Sequence, residues 1–116
     1  MRLLLLLMAL CAVTGCRNAG EEKYEMSDAQ LHLTAQQAEG RHLFNRQCRQ
    51  CHEAYTTTKR VSFSLAGLYS KPELPSGIPA NDARVGEVIV HGKRMMPATS
   101  LDQQQLAALL AYLHTL

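Results

Sequence analysis

Apolar positions at helical spacing occur in three stretches between residue 34 and the last residue, and they define the predicted helices. The last stretch is the most regular, with an apolar stripe made of Leu106, Leu109, Leu110 and Leu113. Ser100, followed three residues later by Gln103, forms a capping-box pattern at its start. We therefore predict a helix that begins after Ser100 and buries its leucine face.

A preceding helix is predicted between residues 82 and 91, with an apolar stripe made of Val85, Val88 and Ile89. Either Asn81 or Asp82 can serve as its N-cap, because a short polar side chain accepts hydrogen bonds from free backbone N–H groups. Gly92 follows this segment and is the expected stop signal. A short loop, residues 93–97, then leads to the last helix.

The first predicted helix starts at Thr34, which forms a capping-box pattern with Gln37. Its positions Gly40, Phe44 and Cys48 are spaced by four residues and share one face. A glycine inside a helix costs about 1 kcal/mol relative to alanine. We therefore expect another helix to approach closely at Gly40.

The remaining stretches lack helical spacing. Three threonines, residues 56–58, argue against a helix between residues 53 and 64 because β-branched side chains are stiff. Residues 65–69 are expected to form one helical turn, and the prolines and glycine within residues 72–79 predict an irregular loop. We find no convincing strand and no internal repeat. The predicted fold is all-α, with three main helices and short turns.

The N-terminal end carries a targeting pattern. A basic residue precedes an apolar run, residues 3–13, and small residues follow, which predicts that residues 1–15 are a secretory signal peptide. The eleven residues of this run are too few to span a bilayer, since about 20 are needed. Residues 13–16 (VTGC) resemble the cleavage motif of bacterial lipoproteins, and this resemblance implies acylation of Cys16. An ordinary signal peptide with an incidental cysteine is the alternative.

Residues 17–33 are polar and partly acidic, without an apolar stripe. We predict that they, with the acylated Cys16, form a tether that links a domain of residues 34–116 to a bacterial membrane, in the periplasm or at the cell surface. Several acyl chains give a stable anchor, whereas one chain gives only marginal binding. A disordered leader with no role beyond spacing is the alternative.

Composition narrows the classes of function. The chain has 116 residues, which suits one small domain with extensions, and its net charge of +2 gives no reason to expect nucleic-acid binding. The absence of tryptophan implies a modest core, to which a large prosthetic group would add apolar surface. If Cys16 is acylated and another cysteine pair holds a cofactor, no free thiol remains in the mature chain, as suits an oxidising compartment.

The chemistry centres on the sequence Cys48-Arg49-Gln50-Cys51-His52, which is the attachment signature of a c-type haem. On a helical turn Cys48 and Cys51 can reach two vinyl groups of one porphyrin, and His52 can turn a ring nitrogen towards the iron. A thioredoxin-like redox pair would need a preceding strand, and a zinc site would need two further ligands at matching spacing. Neither pattern is visible in the sequence.

The sixth position of such an iron has several candidate ligands, namely Met26, Met95, Met96, His32, His42, His91 and His114. Met96 is the predicted ligand, because Pro97 keeps the residue before it extended and stiffens the loop. A thioether sulfur also suits iron in a redox role. Ligation by Met95, ligation by a second histidine and an open site are the alternatives, and the free histidines are expected to be exposed or hydrogen-bonded.

These residues resemble class I cytochrome c over residues 34–116. The shared features are, in order, Gly40-x3-Phe44-x3-Cys48, the haem motif, Leu65-x-Gly67-Leu68-Tyr69, Gly92-Lys93-Arg94-Met95-Met96-Pro97 and Leu109-x2-Tyr112. The resemblance implies one covalently bound haem c, wrapped by the helices and held by the histidine and methionine already named. It also implies that Gly40 and Phe44 pack against the last helix at nearly a right angle. Their partners there are Leu109 and Tyr112.

Two departures from the family pattern matter. The stretch Phe63-Ser64-Leu65 stands where the family has Pro-Asn-Leu, whose proline carbonyl accepts a hydrogen bond from the haem histidine. We predict that the carbonyl of Phe63 or Ser62 replaces it. The sequence also has no tryptophan to bind a haem propionate, and Tyr69 or a residue of the proline-rich loop is expected to substitute.

The resemblance implies a monomeric electron carrier between redox proteins, outside the cytoplasmic membrane, and not an enzyme. Basic residues lie near the predicted ligands in sequence, namely Arg46, Arg49, Lys59, Arg60, Lys93 and Arg94. A basic rim would favour acidic membrane oxidoreductases as partners, and ordinary solvated side chains are the alternative. Two other functions stay open: a haem enzyme or gas-binding sensor, and a fixed electron-entry subunit of a membrane complex.

Overall fold

A computed structural model describes residues 19–116 of the chain. In these residues the helices are α1 (Ala19–Glu25), α2 (Ala35–Gln47), α3 (Asp82–His91) and α4 (Gln103–Leu113), with a 3-10 turn at Leu68–Ser70. Across this part of the chain β-structure is limited to two isolated bridges, so the predicted all-α fold is confirmed. No helix within it is long and apolar enough to cross a membrane. The predicted signal peptide and Cys16 lie outside the described residues.

The starts of α2 and α3 are fixed by side-chain caps. The Thr34 hydroxyl accepts a hydrogen bond from the Gln37 backbone N–H, and the Gln37 side chain accepts one from the Thr34 N–H, which completes the predicted capping box. The Asn81 side chain caps α3 by accepting from the Arg84 N–H. Gly92 ends α3 with φ 73°, a conformation that glycine adopts without steric cost.

Helix α4 begins two residues later than predicted. Its N-cap is Asp102, which forms a reciprocal capping box with Gln105, so the predicted start at Ser100 is wrong. Both positions fit the capping pattern, and packing decides between them. A start at Asp102 places Leu101 just before the cap and Leu106 at the fourth helical position, as in a hydrophobic staple, and both leucines pack against the core.

Helices α2 and α4 cross at Gly40. A Cβ atom at this position would lie 2.0 Å from the Ala108 carbonyl oxygen and 2.7 Å from the Tyr112 Cβ, so only glycine allows the contact. Phe44 and Tyr112 pack with ring centroids 5.6 Å apart, and Leu109 is buried in the same cluster. The predicted helix contact is confirmed, and it explains the glycine inside α2.

The N-terminal segment differs from the predicted tether. Residues 19–25 form α1, and the segment to residue 33 packs on the domain through Tyr24, Asp28 and Leu33. Residues 19–33 therefore contain a docked helix that the sequence pattern did not indicate, and their role as a membrane tether stays a prediction. Most of these contacts are polar, made by a tyrosine hydroxyl and by an ion pair to Arg41, and such contacts leave no apolar periodicity in a sequence.

Candidate functional site

The two cysteines of the motif lie on one turn at the end of α2. Cys48 is the C-cap, and its N–H donates to the Phe44 carbonyl. The Cys51 and His52 N–H groups then donate to the Cys48 carbonyl at 3.0 and 2.9 Å, which closes a tight turn. Both thiols are half-buried and free of a disulfide. This turn holds the two sulfurs and the histidine in one short, hydrogen-bonded segment.

The environment of the two thiols argues against a redox-active cysteine pair and against a zinc site. Burial, with the nearby Cys51 as a smaller cause, raises the pKa of Cys48 to about 11, which opposes the low-pKa thiolate of a redox-active pair. Among residues 19–116, no three His, Cys, Asp or Glu side chains come together in a group that could hold a metal ion. The cysteine pair therefore lacks the additional protein ligands that a zinc site needs.

His52 is buried, with 7% of its surface exposed. Its Nδ1 lies 2.8 Å from the carbonyl oxygen of Phe63. A carbonyl only accepts hydrogen bonds, so the proton is on Nδ1 and the Nε2 lone pair is left for a ligand. The prediction that Phe63 or Ser62 supplies this carbonyl is confirmed, and the residue is Phe63.

The loop that carries Phe63 is itself fixed by backbone hydrogen bonds. The Ser62 N–H donates to the Cys51 carbonyl at 2.9 Å, and the Leu65 N–H donates to the Glu53 carbonyl at 2.8 Å. These bonds flank the Phe63 carbonyl on both sides. The position of the histidine ring is thus set by the main chain of the same loop that follows the haem motif.

The two methionines of the predicted ligand loop have opposite environments. Met95 is 96% exposed, whereas Met96 is half-buried and packs against the core. Lys93 and Met96 exchange two backbone hydrogen bonds of 3.0 Å, and Arg94 has φ 54° in the tight turn between them. The geometry favours Met96 over Met95 as a side chain that faces the domain interior.

Gly92 fixes this loop against the end of α3. A Cβ atom here would lie 2.6 Å from the Met96 carbonyl oxygen and 2.7 Å from the Ala98 nitrogen. The Thr99 N–H donates to the Ile89 carbonyl at 3.0 Å, which ties the far side of the loop to the same helix. The backbone around Met96 is therefore held at both ends.

The other candidate histidines face solvent, and Met26 lies in the N-terminal segment. His32, His42, His91 and His114 are all exposed, as predicted for histidines without a ligand role. His42 contacts Asp28 at 3.0 Å and His114 contacts Asp82 at 2.8 Å. The backbone carbonyl of Met26 accepts a hydrogen bond from Arg41, within the N-terminal segment.

Tyr69 has a packing contact that the sequence did not indicate. Its ring stacks on His114 with centroids 3.8 Å apart. Burial, followed by the nearby Asp82 carboxylate, raises the pKa of the phenol, and the hydroxyl is buried without a hydrogen bond of normal geometry. A contact between Tyr69 and a haem propionate stays a prediction.

Phe63 also contacts the histidine ring, with ring centroids 5.3 Å apart. Half-buried side chains that pack on the core near the motif and the methionine loop include Cys48, Phe63, Leu74, Met96 and Leu101. A cavity of about 200 Å³ opens beside the histidine's carbonyl partner, and apolar residues such as Phe63 and Leu74 line it together with the charged Lys71 and Glu73. The residues proposed to hold a haem do not line this cavity. Two free thiols, a free imidazole nitrogen and apolar neighbours are the chemical set that fits a covalently bound haem.

The helical fold with this motif defines a c-type cytochrome. Residues 35–113 match the protein family described as Cytochrome C oxidase, cbb3-type, subunit III. The chain belongs to this family. A comparison with curated proteins found no match. The family match begins with α2 and ends with α4, so the N-terminal segment and α1 lie outside it.

Proposed function

We propose that this protein is a mono-haem electron carrier with His52 and Met96 as axial ligands, anchored by an acylated Cys16 to the outer side of the cytoplasmic membrane. The observation that carries the proposal is the hydrogen bond from Nδ1 of His52, the residue directly after the cysteine pair, to the Phe63 carbonyl. Such a bond orients a metal-ligating histidine and raises its basicity.

Each ligand residue has a distinct role in this proposal. Cys48 and Cys51 form the covalent links, His52 Nε2 is the proximal ligand, and the Met96 sulfur is the distal ligand. A haem bound here supplies one-electron exchange between Fe(III) and Fe(II). The chain supplies the ligands, an apolar environment and a fixed histidine, and these set the potential.

We propose no catalytic residues. If His52 and Met96 both held the haem iron, no open coordination position would be left for a substrate. A haem enzyme or gas-binding sensor is the alternative in which Met96 is held weakly. The half-buried position of Met96, and the backbone hydrogen bonds that hold its loop, favour the carrier.

A second candidate is a fixed electron-entry subunit of a membrane oxidoreductase complex. The observation that favours it is the match to a family named for a subunit of cbb3-type cytochrome c oxidase. In both cases the partners are redox proteins outside the cytoplasm. Exposed basic residues lie near the proposed iron ligands in sequence, namely Lys59, Arg60, Lys93 and Arg94. They favour partners with acidic surfaces.

The test of the carrier is an intact mass with visible spectra, measured on protein purified from membranes. We expect one haem per chain that resists acid-acetone extraction, a mass increase from acylation at Cys16, and the weak red absorption band of methionine-ligated ferric haem. Colourless protein, or pigment that acid-acetone removes, would contradict the haem assignment. Rapid CO binding by the ferrous protein would instead support the sensor.

Extraction with a mild detergent separates the carrier from the subunit. A fixed subunit should co-purify with other haem proteins in constant proportion through two chromatographic steps. A carrier should elute alone as a monomer. The same membranes can be used for both experiments.

A further inference from the structure

We propose that residues 19–33 form a docked strap that holds the cytochrome domain close to the membrane surface. The inference rests on the proposed acylation of Cys16. It concerns the height of the domain above the bilayer, and therefore which redox partners the domain reaches. Two sets of contacts, one at Arg41 and one at Tyr24, carry it.

Arg41 of α2 is the first attachment point. Its side chain is 9% exposed, and its Nη1 donates to Asp28 Oδ1 at 2.7 Å. Its Nη2 donates to the Met26 carbonyl at 2.7 Å and more distantly to the carbonyls of Lys23 and Tyr24. One guanidinium therefore binds the end of α1 and the turn after it. Charge-assisted hydrogen bonds of this kind are the stronger ones.

Tyr24 of α1 is the second attachment point. Its hydroxyl donates to Glu53 Oε2 at 2.6 Å and accepts from the Ala54 N–H at 2.9 Å. Its ring packs against Tyr55, with centroids 4.9 Å apart, and under the Arg49 guanidinium at 4.0 Å. The strap is thus bound to the haem motif and to the residues that directly follow it.

The contacts between the strap and the domain extend to the first residues of α1. At Gly20, a Cβ atom would lie 2.5 Å from Thr56 Cγ2 and 2.7 Å from the Tyr55 carbonyl oxygen. Helix α1 has only seven residues, and so short a helix is not stable alone in water. Its carbonyls are satisfied at its C-terminal end by Arg41, where a positive charge is favoured. The helix therefore exists because it is docked.

Docking shortens the free chain between the lipid and the domain. From Cys16 to Ala19 there are three residue steps, which span at most about 11 Å. A free tether up to Thr34 would have 18 steps and a maximal reach of roughly 60–65 Å. Helix α1 exposes three glutamates and one lysine, which gives no net attraction to anionic lipid. Chain length therefore sets the height. The domain then meets only partners whose redox centre lies near the bilayer surface.

The test measures the height of the acylated holoprotein on phosphatidylcholine vesicles that carry a headgroup fluorophore. The haem quenches the fluorophore by energy transfer, which falls steeply with distance. An insertion of 15 Gly/Ser residues between Asn18 and Ala19 gives the value for a long tether. We expect strong quenching for the natural chain and weaker quenching after the insertion. Quenching in Arg41→Gln should fall towards the value of the insertion variant. Quenching in Arg84→Gln, at an exposed arginine of α3, should equal that of the natural chain.

Trypsin provides a readout that does not depend on acylation. Cleavage after Lys23 requires the strap to leave the domain, so Arg41→Gln should accelerate it by roughly tenfold or more, while Arg84→Gln leaves the rate unchanged. If Arg41→Gln fails to fold, Gly20→Val tests the same docking at the other end of α1. An unchanged haem spectrum shows that either variant is folded.

The outcomes are distinguishable. An intact mass without acyl chains refutes the anchor and with it the membrane role of the strap, while the trypsin rates still report docking. If the protein is acylated but is quenched no more strongly than the insertion variant, the anchor stands and the strap is refuted. Equal trypsin rates for the natural chain and Arg41→Gln would also refute it.

Discussion

The histidine and methionine sides of the proposed haem site are held in different ways. His52 is buried, and its ring is bound to a loop that backbone hydrogen bonds fix on both sides of Phe63. Met96 lies in a tight turn at the surface, next to the fully exposed Met95. The histidine side is thus part of the domain interior, whereas the methionine side is a short surface loop fixed by its own backbone.

This difference assigns separate tasks to the two sides. The histidine side shares its contacts with the core and with α1, so its disruption affects the whole fold. The methionine loop packs against Gly92 at the end of α3. A substitution in this loop is therefore expected to change the structure only locally. Covalent attachment of the haem and the stability of the fold are therefore expected to depend on the histidine side. The identity of the sixth iron ligand is expected to depend on the methionine side.

The largest effect is expected from removal of both thiols. Cys48→Ala with Cys51→Ala leaves no group for covalent attachment, so purified protein should contain no pigment that survives acid-acetone extraction. The absorbance per chain measures this directly, and Met95→Ala serves as the control that retains full pigment. Acid-resistant pigment in the double variant would refute the role of the motif.

Gly40→Ala should be the most damaging single change to the fold. Its Cβ would meet the Ala108 carbonyl at 2.0 Å, and such overpacking should lower the free energy of unfolding by about 3 kcal/mol. Denaturant unfolding measures it. Gly86→Ala is the matched control, because a Cβ there meets Leu106 at an ordinary 3.7 Å. Equal losses in the two variants would contradict the helix contact.

On the methionine side, Met96→Ala should change ligation with little effect on attachment. The red absorption band should disappear, the ferrous form should bind CO, and the midpoint potential should fall because the thioether ligand is lost. Met95→Ala should leave all three unchanged. If Met95→Ala removes the band instead, the ligand has been assigned to the wrong methionine.

The smallest effect is a pH dependence of the contact between the N-terminal segment and α2. The hydrogen bond from Arg41, with a further one from His42, holds the pKa of Asp28 below its ordinary value. The pair therefore stabilises the fold above the unfolded pKa of about 4, and this contribution is lost as the pH falls through the lower folded pKa. Across this acid range, the free energy of unfolding should fall less steeply with decreasing pH in Asp28→Asn than in the natural chain. Parallel curves would contradict the contribution.

The sequence predicted those features that short motifs determine. The caps at Thr34 and Asn81 and the stop at Gly92 each depend on a few neighbouring residues. The helix contact at Gly40 was also predicted, through a family resemblance and the unusual position of a glycine. Local chemistry was sufficient for the helix ends, and the family resemblance was needed for the helix contact and for the carbonyl of Phe63.

Two features could not be predicted because they depend on tertiary contacts. The start of α4 is decided between two capping patterns by the packing of Leu101 and Leu106. The docking of α1 depends on Tyr24 reaching Glu53, 29 residues away, and on Arg41 reaching Asp28. The one usable signal was a charged residue, Arg41, next to Gly40 on a helix face that packs inwards.

The bond between His52 and the Phe63 carbonyl has a consequence for the speed of electron exchange. A haem held here would supply one-electron exchange, and movement of a side chain that holds it would add to the activation barrier. The hydrogen bond to the main chain restricts such movement of the His52 ring. The hydrogen bond of the imidazole is in place before an electron is transferred, as in preorganised sites whose dipoles do not reorient during a reaction. A low reorganisation energy is therefore expected to follow from this single hydrogen bond.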